Sequence, residues 1–409
     1  MSWICSIAIF LLAVLSPFGL QSATELSMKN GMKVLFHSKK KSESKQVKVR
    51  VIALGGYYAY PRDKRLVARL ALKAGVESGL GDFSADQLSS WLYHMGIDYD
   101  VKISPFHRHI EAVGDISKLG AIMTLIDMTF KRKNFSEEAF KKVINGKKKG
   151  IKEFDSLLNT VFSEEINPPK TSEGSYSVLY EEAQEIFREV FADTKQFAMI
   201  IVGNIDERDI FKAARQHFEK LDQVDNAREH SLPFEFIIPR GIQNKYVPRK
   251  SGQKNRLVFP YPEVFTPQKF ESYKFAIQLI KQRLARSSSD GIIVNYEMPL
   301  YPMIDIGWFV VHYEDPSDSS KIVDELRELQ AKGPTQSELK EVQAYYRKQK
   351  RNSDDFWMET LTLYGLHGWK INEMFLAEEM METMNLQSAK NALQEVFSLD
   401  NYTQIAQEE

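Results

Sequence analysis

After an almost unbroken apolar stretch from Trp3 to Leu20, the chain alternates short apolar runs with amphipathic ones. Lys33 to Phe36 and Val47 to Leu54 read as strands, and the polar, Lys-rich Ser38 to Lys45 between them predicts an exposed hairpin turn. A helix is expected from Leu66 to Ala74. A sharper one follows, because Ser84 and Gln87 make a capping box, Leu88, Trp91, Leu92 and Met95 recur at helical spacing, and Gly96 supplies the stop. Tyr99 to Val113 reads as extended. Leu119, Ile122, Met123 and Ile126 then form a helical stripe, and Ser136 with Glu137 and Glu138 opens a helix toward Lys152. Pro168-Pro169 and Thr171 to Ser177 mark a loop. A helix over Glu181 to Phe191, the apolar strand Phe197 to Val202 and a helix from Asp206 to Leu221 complete this run.

A second run of similar grammar begins after the polar stretch Gln223 to Pro233. Arg256 to Phe259 predicts a strand, Pro267 to Ala285 a helix, and Val294 to Tyr296 with Ile306 to Tyr313 two further strands. Helices follow over Ser320 to Ala331 and from Thr335, which makes a capping box with Glu338. The two runs echo each other: Ser136 to Val143 parallels Thr335 to Val342, and Val190 to Phe197 parallels Val396 to Tyr402, both offset by roughly 200 residues, an ordinary domain length. The expected fold class is therefore α+β, with two homologous domains, each a mainly antiparallel sheet covered by helices. The expected boundaries are a first domain over 24–222, a linker over 223–245 and a second domain over 246–409.

Four stretches carry a resemblance to a known family. They are Leu26 to Val34, Gly79 to Leu88, Phe197 to Asn204 and Lys332 to Leu339. In this order and spacing they resemble one half of an insulinase/pitrilysin-family zinc metallopeptidase, most nearly the C-terminal, non-zinc half of the long bacterial members. The resemblance implies paired α+β domains, and in active members two such halves clamp an unfolded peptide in a closed chamber.

Chemistry in that family rests on an HxxEH helix and a distal Glu: two His one helical turn apart bind zinc, and the Glu between them activates the bound water. The sequence has no HxxEH. The resemblance places Arg69, Leu72 and Lys73 at the motif positions and Gly150 in the region of the distal Glu, after the basic run Lys147 to Lys149. Cations there repel Zn²⁺. No cofactor is therefore expected in this chain, and zinc is expected in a partner half. In the partner-type half of the family an Arg and a Tyr hold the substrate carbonyl. Arg286 matches the Arg, but the Tyr position falls at Ile293 or Val294, so Arg286 reads either as that contact or as a cation closing a helix.

Composition sharpens this picture by exclusion. With 54 basic and 55 acidic side chains there is no global attraction to nucleic acid, and the basic runs lack interleaved aromatics. The single cysteine, Cys5, lies inside the leading apolar stretch. Residues 1–23 read as a signal peptide cut after Ala23, or alternatively as an uncleaved membrane anchor. A mature chain without cysteine has no disulfide and no thiolate nucleophile. His107 and His109, at i and i+2 of a strand, are the remaining metal candidates, although no third ligand is evident and an exposed strand face is the ordinary reading. The expectation is an exported chain, in the periplasm or outside the cell. It is a non-catalytic half that pairs with an insulinase-type zinc-bearing subunit, or with its own copy, and holds unfolded peptide. Two alternatives stand beside it: an active zinc endopeptidase with unusual ligands, and a purely structural or peptide-binding subunit.

Overall fold

The computed structural model describes residues 23–38, 44–131, 135–146, 161, 176–219, 221, 238–247, 254–262, 266–287, 292–297, 306–349 and 353–407. The apolar leader, Gly150, Pro168-Pro169 and Gln223 to Pro233 lie outside them. Strands β1 (Ala23–Ser27), β2 (Lys33–Ser38), β3 (Gln46–Leu54), β4 (Asp98–Ile103), β5 (His107–Asp115) and β6 (Phe197–Gly203) form one sheet in the order β1-β2-β6-β3-β5-β4. Its pairings are antiparallel except β2 with β6. With it go helices α1 (Arg65–Glu77), α2 (Ala85–Met95), α3 (Leu119–Lys131), α4 (Glu137–Gly146), α5 (Tyr176–Val190) and α6 (Glu207–Phe218).

The second sheet contains β7 (Gln243–Val247), β8 (Asn255–Pro262), β9 (Ile293–Glu297), β10 (Ile306–Tyr313) and β11 (Thr403–Gln407), ordered β7-β11-β8-β10-β9. Only β7 with β11 is parallel among its pairings. Its helices are α7 (Pro267–Ser287), α8 (Asp318–Lys332), α9 (Gln336–Gln349), α10 (Asp354–His367), α11 (Ile371–Thr383) and α12 (Leu386–Val396). The order of the second sheet repeats β2-β6-β3-β5-β4 of the first, with the one parallel pair in the same place. The repeated sequences fall on matching elements: α4 and α9, then the junctions from α5 to β6 and from α12 to β11. Gly31 and Gly241, at φ 83° and 75°, make the same left-handed turn just before β2 and β7. The two mainly antiparallel, helix-covered units expected from the sequence are present.

Local chemistry explains the elements. Ser84 and Gln87 close their capping box and Gly96 ends α2 at φ 62°. Thr335 Oγ1 accepts from the Glu338 amide at 3.3 Å while Glu338 accepts from the Thr335 amide at 2.8 Å, opening α9. Every residue of β6 is buried, as befits a strand flanked on both sides and covered on both faces.

That centrality corrects one expectation. β2 and β3 are not a hairpin, because β6 lies between them, and β2 turns back instead onto β1. α5 begins at Tyr176, earlier than the expected Glu181 and inside the stretch read as loop. β7 begins at Gln243, inside the stretch read as linker.

Three apolar layers follow. One face of the first sheet packs on α1, α3, α5 and α6. The second sheet packs on α7, α8, α9 and α12. Between the halves, Leu35, Ile52, Ala198 and Ile200 of the first sheet meet Trp357, Met358, Leu361 and Tyr364 of α10. Among the described residues, no helix is long and apolar enough to cross a membrane.

Candidate functional site

α1 runs beside β4, an edge strand of the first sheet. Apolar residues fix its rotation: Val67, Ala68, Leu70, Ala71, Leu72 and Ala74 are buried in the first core. Gly75 lets the Phe187 ring of α5 come so close that a Cβ there would sit 2.1 Å from it. This rotation decides what the helix offers. Leu72, which the resemblance places at the general-base position, is 1% exposed and faces the core. Arg69 lies over the Tyr57 ring at 5.1 Å, while exposed Lys73 pairs with Glu77 at 3.8 Å. Lys142 of α4 reaches the same carboxylate at 3.2 Å. A zinc ion needs lone pairs from neutral imidazole or carboxylate. A guanidinium and an ammonium supply none, and Leu72 supplies no base, so these residues do not fit the metal. Among the described residues, no group of three or more His, Asp, Glu or Cys is close enough to hold one.

His107 and His109 do share a face of β5, with ring centroids 5.2 Å apart. That face is not open, which corrects the ordinary reading. Together with Arg50 and Ile52 of β3, the two rings line a cavity of about 200 Å³ closed by Glu359, Thr362, Leu363 and Leu366 of α10. Burial pushes the His107 imidazole down to about 3, helped by His109 and then Arg50. Burial likewise pushes His109 down to about 4, with Arg50 adding to it. Both rings are neutral at pH 7. Against the cost of burial, Glu359 and Glu111 hold the Arg50 guanidinium above its ordinary value. The contacts are 2.8 Å to Glu359, 2.9 Å to Glu111 and 3.2 Å to Thr362. The pair therefore sits beside a fixed cation, an unfavourable neighbour for a metal ion.

Between the two histidines, Arg108 points the other way and is 1% exposed. Its guanidinium donates to the carbonyls of Val190 at 2.8 Å and Gly55 at 3.2 Å, and also to the Leu54 carbonyl and the Gln196 amide oxygen. Burial lowers it to about 10, still charged at neutral pH. It ties the end of β3 to the segment entering β6, a role that strand alternation hinted at but hydropathy hid.

Arg286 ends α7 and is engaged by α9: it pairs with Glu338 at 3.6 Å and with Glu341. Neighbouring Arg283 holds Glu338 through two bonds of 2.5 and 2.8 Å. Of the two residues the resemblance offers for the family's Tyr position, Val294 is buried in the second core and Ile293 is exposed. The Gly150 region lies outside the described residues.

Fold and site together define a class: two α+β units in tandem, whose α1 residues at the positions the resemblance assigns to a metal carry no zinc donors. No family model matches the chain. Over 217 residues, half of this chain, the sequence is 19% identical to the probable zinc protease PqqL of Escherichia coli, covering 23% of that protein. The solved periplasmic protease PqqL superposes with a TM-score of 0.74 at 14% identity, over 99% of this chain and 48% of that one. This chain thus spans about half the length of that relative. The first half of PqqL alone matches with a TM-score of 0.73 at 14% identity, over 94% of this chain and 91% of that one. A peptidase M16 inactive domain from Pseudomonas fluorescens matches with a TM-score of 0.71 at 14% identity, over 94% and 97%. These matches differ little in TM-score, so the fold alone does not distinguish among them.

Proposed function

We propose that this chain is an exported, non-catalytic half of an insulinase-type peptidase, which pairs with a zinc-bearing half and holds peptide for it. The observation that carries the reading is α1, where Arg69 and Lys73 put positive charge at the two ligand positions and Leu72 buries the general-base position. Zinc and the activated water belong to the partner. This chain's contribution is a wall and a strand edge. β4 is one of the two edge strands of its sheet, so an extended peptide can add there through main-chain hydrogen bonds, whatever its side chains. Export is supported by the apolar leader and by the periplasmic location of PqqL. Arg286, held by Glu338 and Glu341, acts as a brace between α7 and α9.

The test is purification of the chain alone and from its native envelope. Alone, it is expected to carry no stoichiometric zinc and cleave no peptide. Co-purified with its partner, it is expected to give cleavage that a chelator abolishes. One tightly bound zinc per isolated chain, with chelator-sensitive cleavage, would overturn the reading.

A further inference from the structure

α7, α9, α10 and α11 meet around a cavity of about 320 Å³ in the second half, remote in sequence from α1 and β4. Its apolar wall is formed by Tyr346, Phe356, Met374 and Met381. The wall is held in place before any ligand arrives. Gln343 donates to the carbonyls of Glu382 at 3.1 Å and Met384 at 3.0 Å, tying α9 to the end of α11. Tyr346 is stacked on Phe275, with centroids 6.0 Å apart. Two methionines let the wall adapt to the shape of what enters.

The charges at this wall do not cancel. Lys274 is neutralised by Glu271, 3.1 Å away. Lys281, two turns further along α7, and Arg347 on α9 also line the cavity, and neither has a carboxylate partner among the described residues. A cavity of this size with an apolar body and a few polar groups is the usual form of a small-molecule site. A neutral guest would leave the two cations unused, whereas a dianion would meet Glu271 and Glu382 on the same wall.

We propose that this cavity binds a small amphipathic monocarboxylate, its apolar body among Tyr346, Phe356, Met374 and Met381 and its carboxylate held by Lys281 and Arg347. The test titrates octanoate into the full chain by calorimetry, with octanol as the uncharged control. Saturable one-to-one binding is expected, at least tenfold tighter for octanoate than for octanol. Lys281→Gln with Arg347→Gln should weaken octanoate about tenfold and leave octanol unchanged, since both side chains reach out to solvent and neither supports the core. Met374→Trp, which fills the cavity, should abolish binding of both while the thermal transition stays cooperative. Absence of octanoate binding, equal affinity for octanol, or an unchanged octanoate affinity in the double variant would each overturn the proposal.

Discussion

Acid should loosen the seam between the first sheet and α10, and the histidine pair sets the pH at which it does so. In the unfolded chain both imidazoles titrate near the ordinary 6.5, whereas in the fold His107 sits at about 3 and His109 at about 4. Between these values the unfolded state binds more protons than the folded one, so stability falls as the pH falls from about 6.5 toward 4. The groups facing the pair are Arg50, Glu111, Lys102 and Asp100 from the sheet and Glu359 from α10, and Arg50 stays charged throughout. From pH 7 to about pH 4.5 each ring accounts for a loss of roughly 2 kcal/mol, and the pair for about 3 kcal/mol once water contact at the partly exposed rings is allowed for. Urea unfolding followed by tryptophan fluorescence reads this directly, since Trp357 stands in the seam stacked on His37 with ring centroids 3.8 Å apart. Carboxylates elsewhere also titrate, so the informative quantity is the difference between wild type and His107→Leu with His109→Leu. The double variant should keep about 3 kcal/mol that the wild type loses over this interval. Parallel stability curves for the two proteins would refute the reasoning.

Three further outcomes follow from the packing. Arg108→Met should cost about 3 kcal/mol or more in urea unfolding, because it strands buried carbonyls of Leu54, Gly55 and Val190. Gly365→Leu should destabilise by about 2 kcal/mol or more, since even a Cβ there would lie 2.8 Å from Ala198 Cβ, and thermal unfolding checks it. Leu72→Glu, which restores only the general-base residue of the motif, should cost about 3 kcal/mol or more at neutral pH and recover no zinc affinity, as measured by unfolding and metal analysis.

The strands and helices that alternate regularly were legible from the chain, as were the caps at Ser84, Asp206 and Thr335 and the internal repeat. The central place of β6 was not, because an all-apolar strand announces burial on both faces without naming its neighbours. α10 was missed for a related reason. It is buried against both halves, with Trp357, Met358, Leu361, Leu363 and Leu366 spread around it, so the one-sided stripe that betrays a surface helix is absent. The Ser353 cap, the acidic first turn and Gly368 would have marked its ends. For the site, Arg69, Leu72 and Lys73 could be placed by resemblance, but their surroundings could not. The cover over His107 and His109 comes from a helix some 250 residues away, a separation that no local pattern reports.

α10 has a consequence for how the molecule can be divided. In sequence it lies within the second repeat, yet it seals a face of the first sheet, with Lys48 and Arg50 reaching across to Asp355 and Glu359. A cut made where the repeat ends would strip that cover and leave Leu35, Ile52 and Ile200 facing water. The boundary of the sequence repeat and the boundary of the packed core therefore fall at different places along the chain.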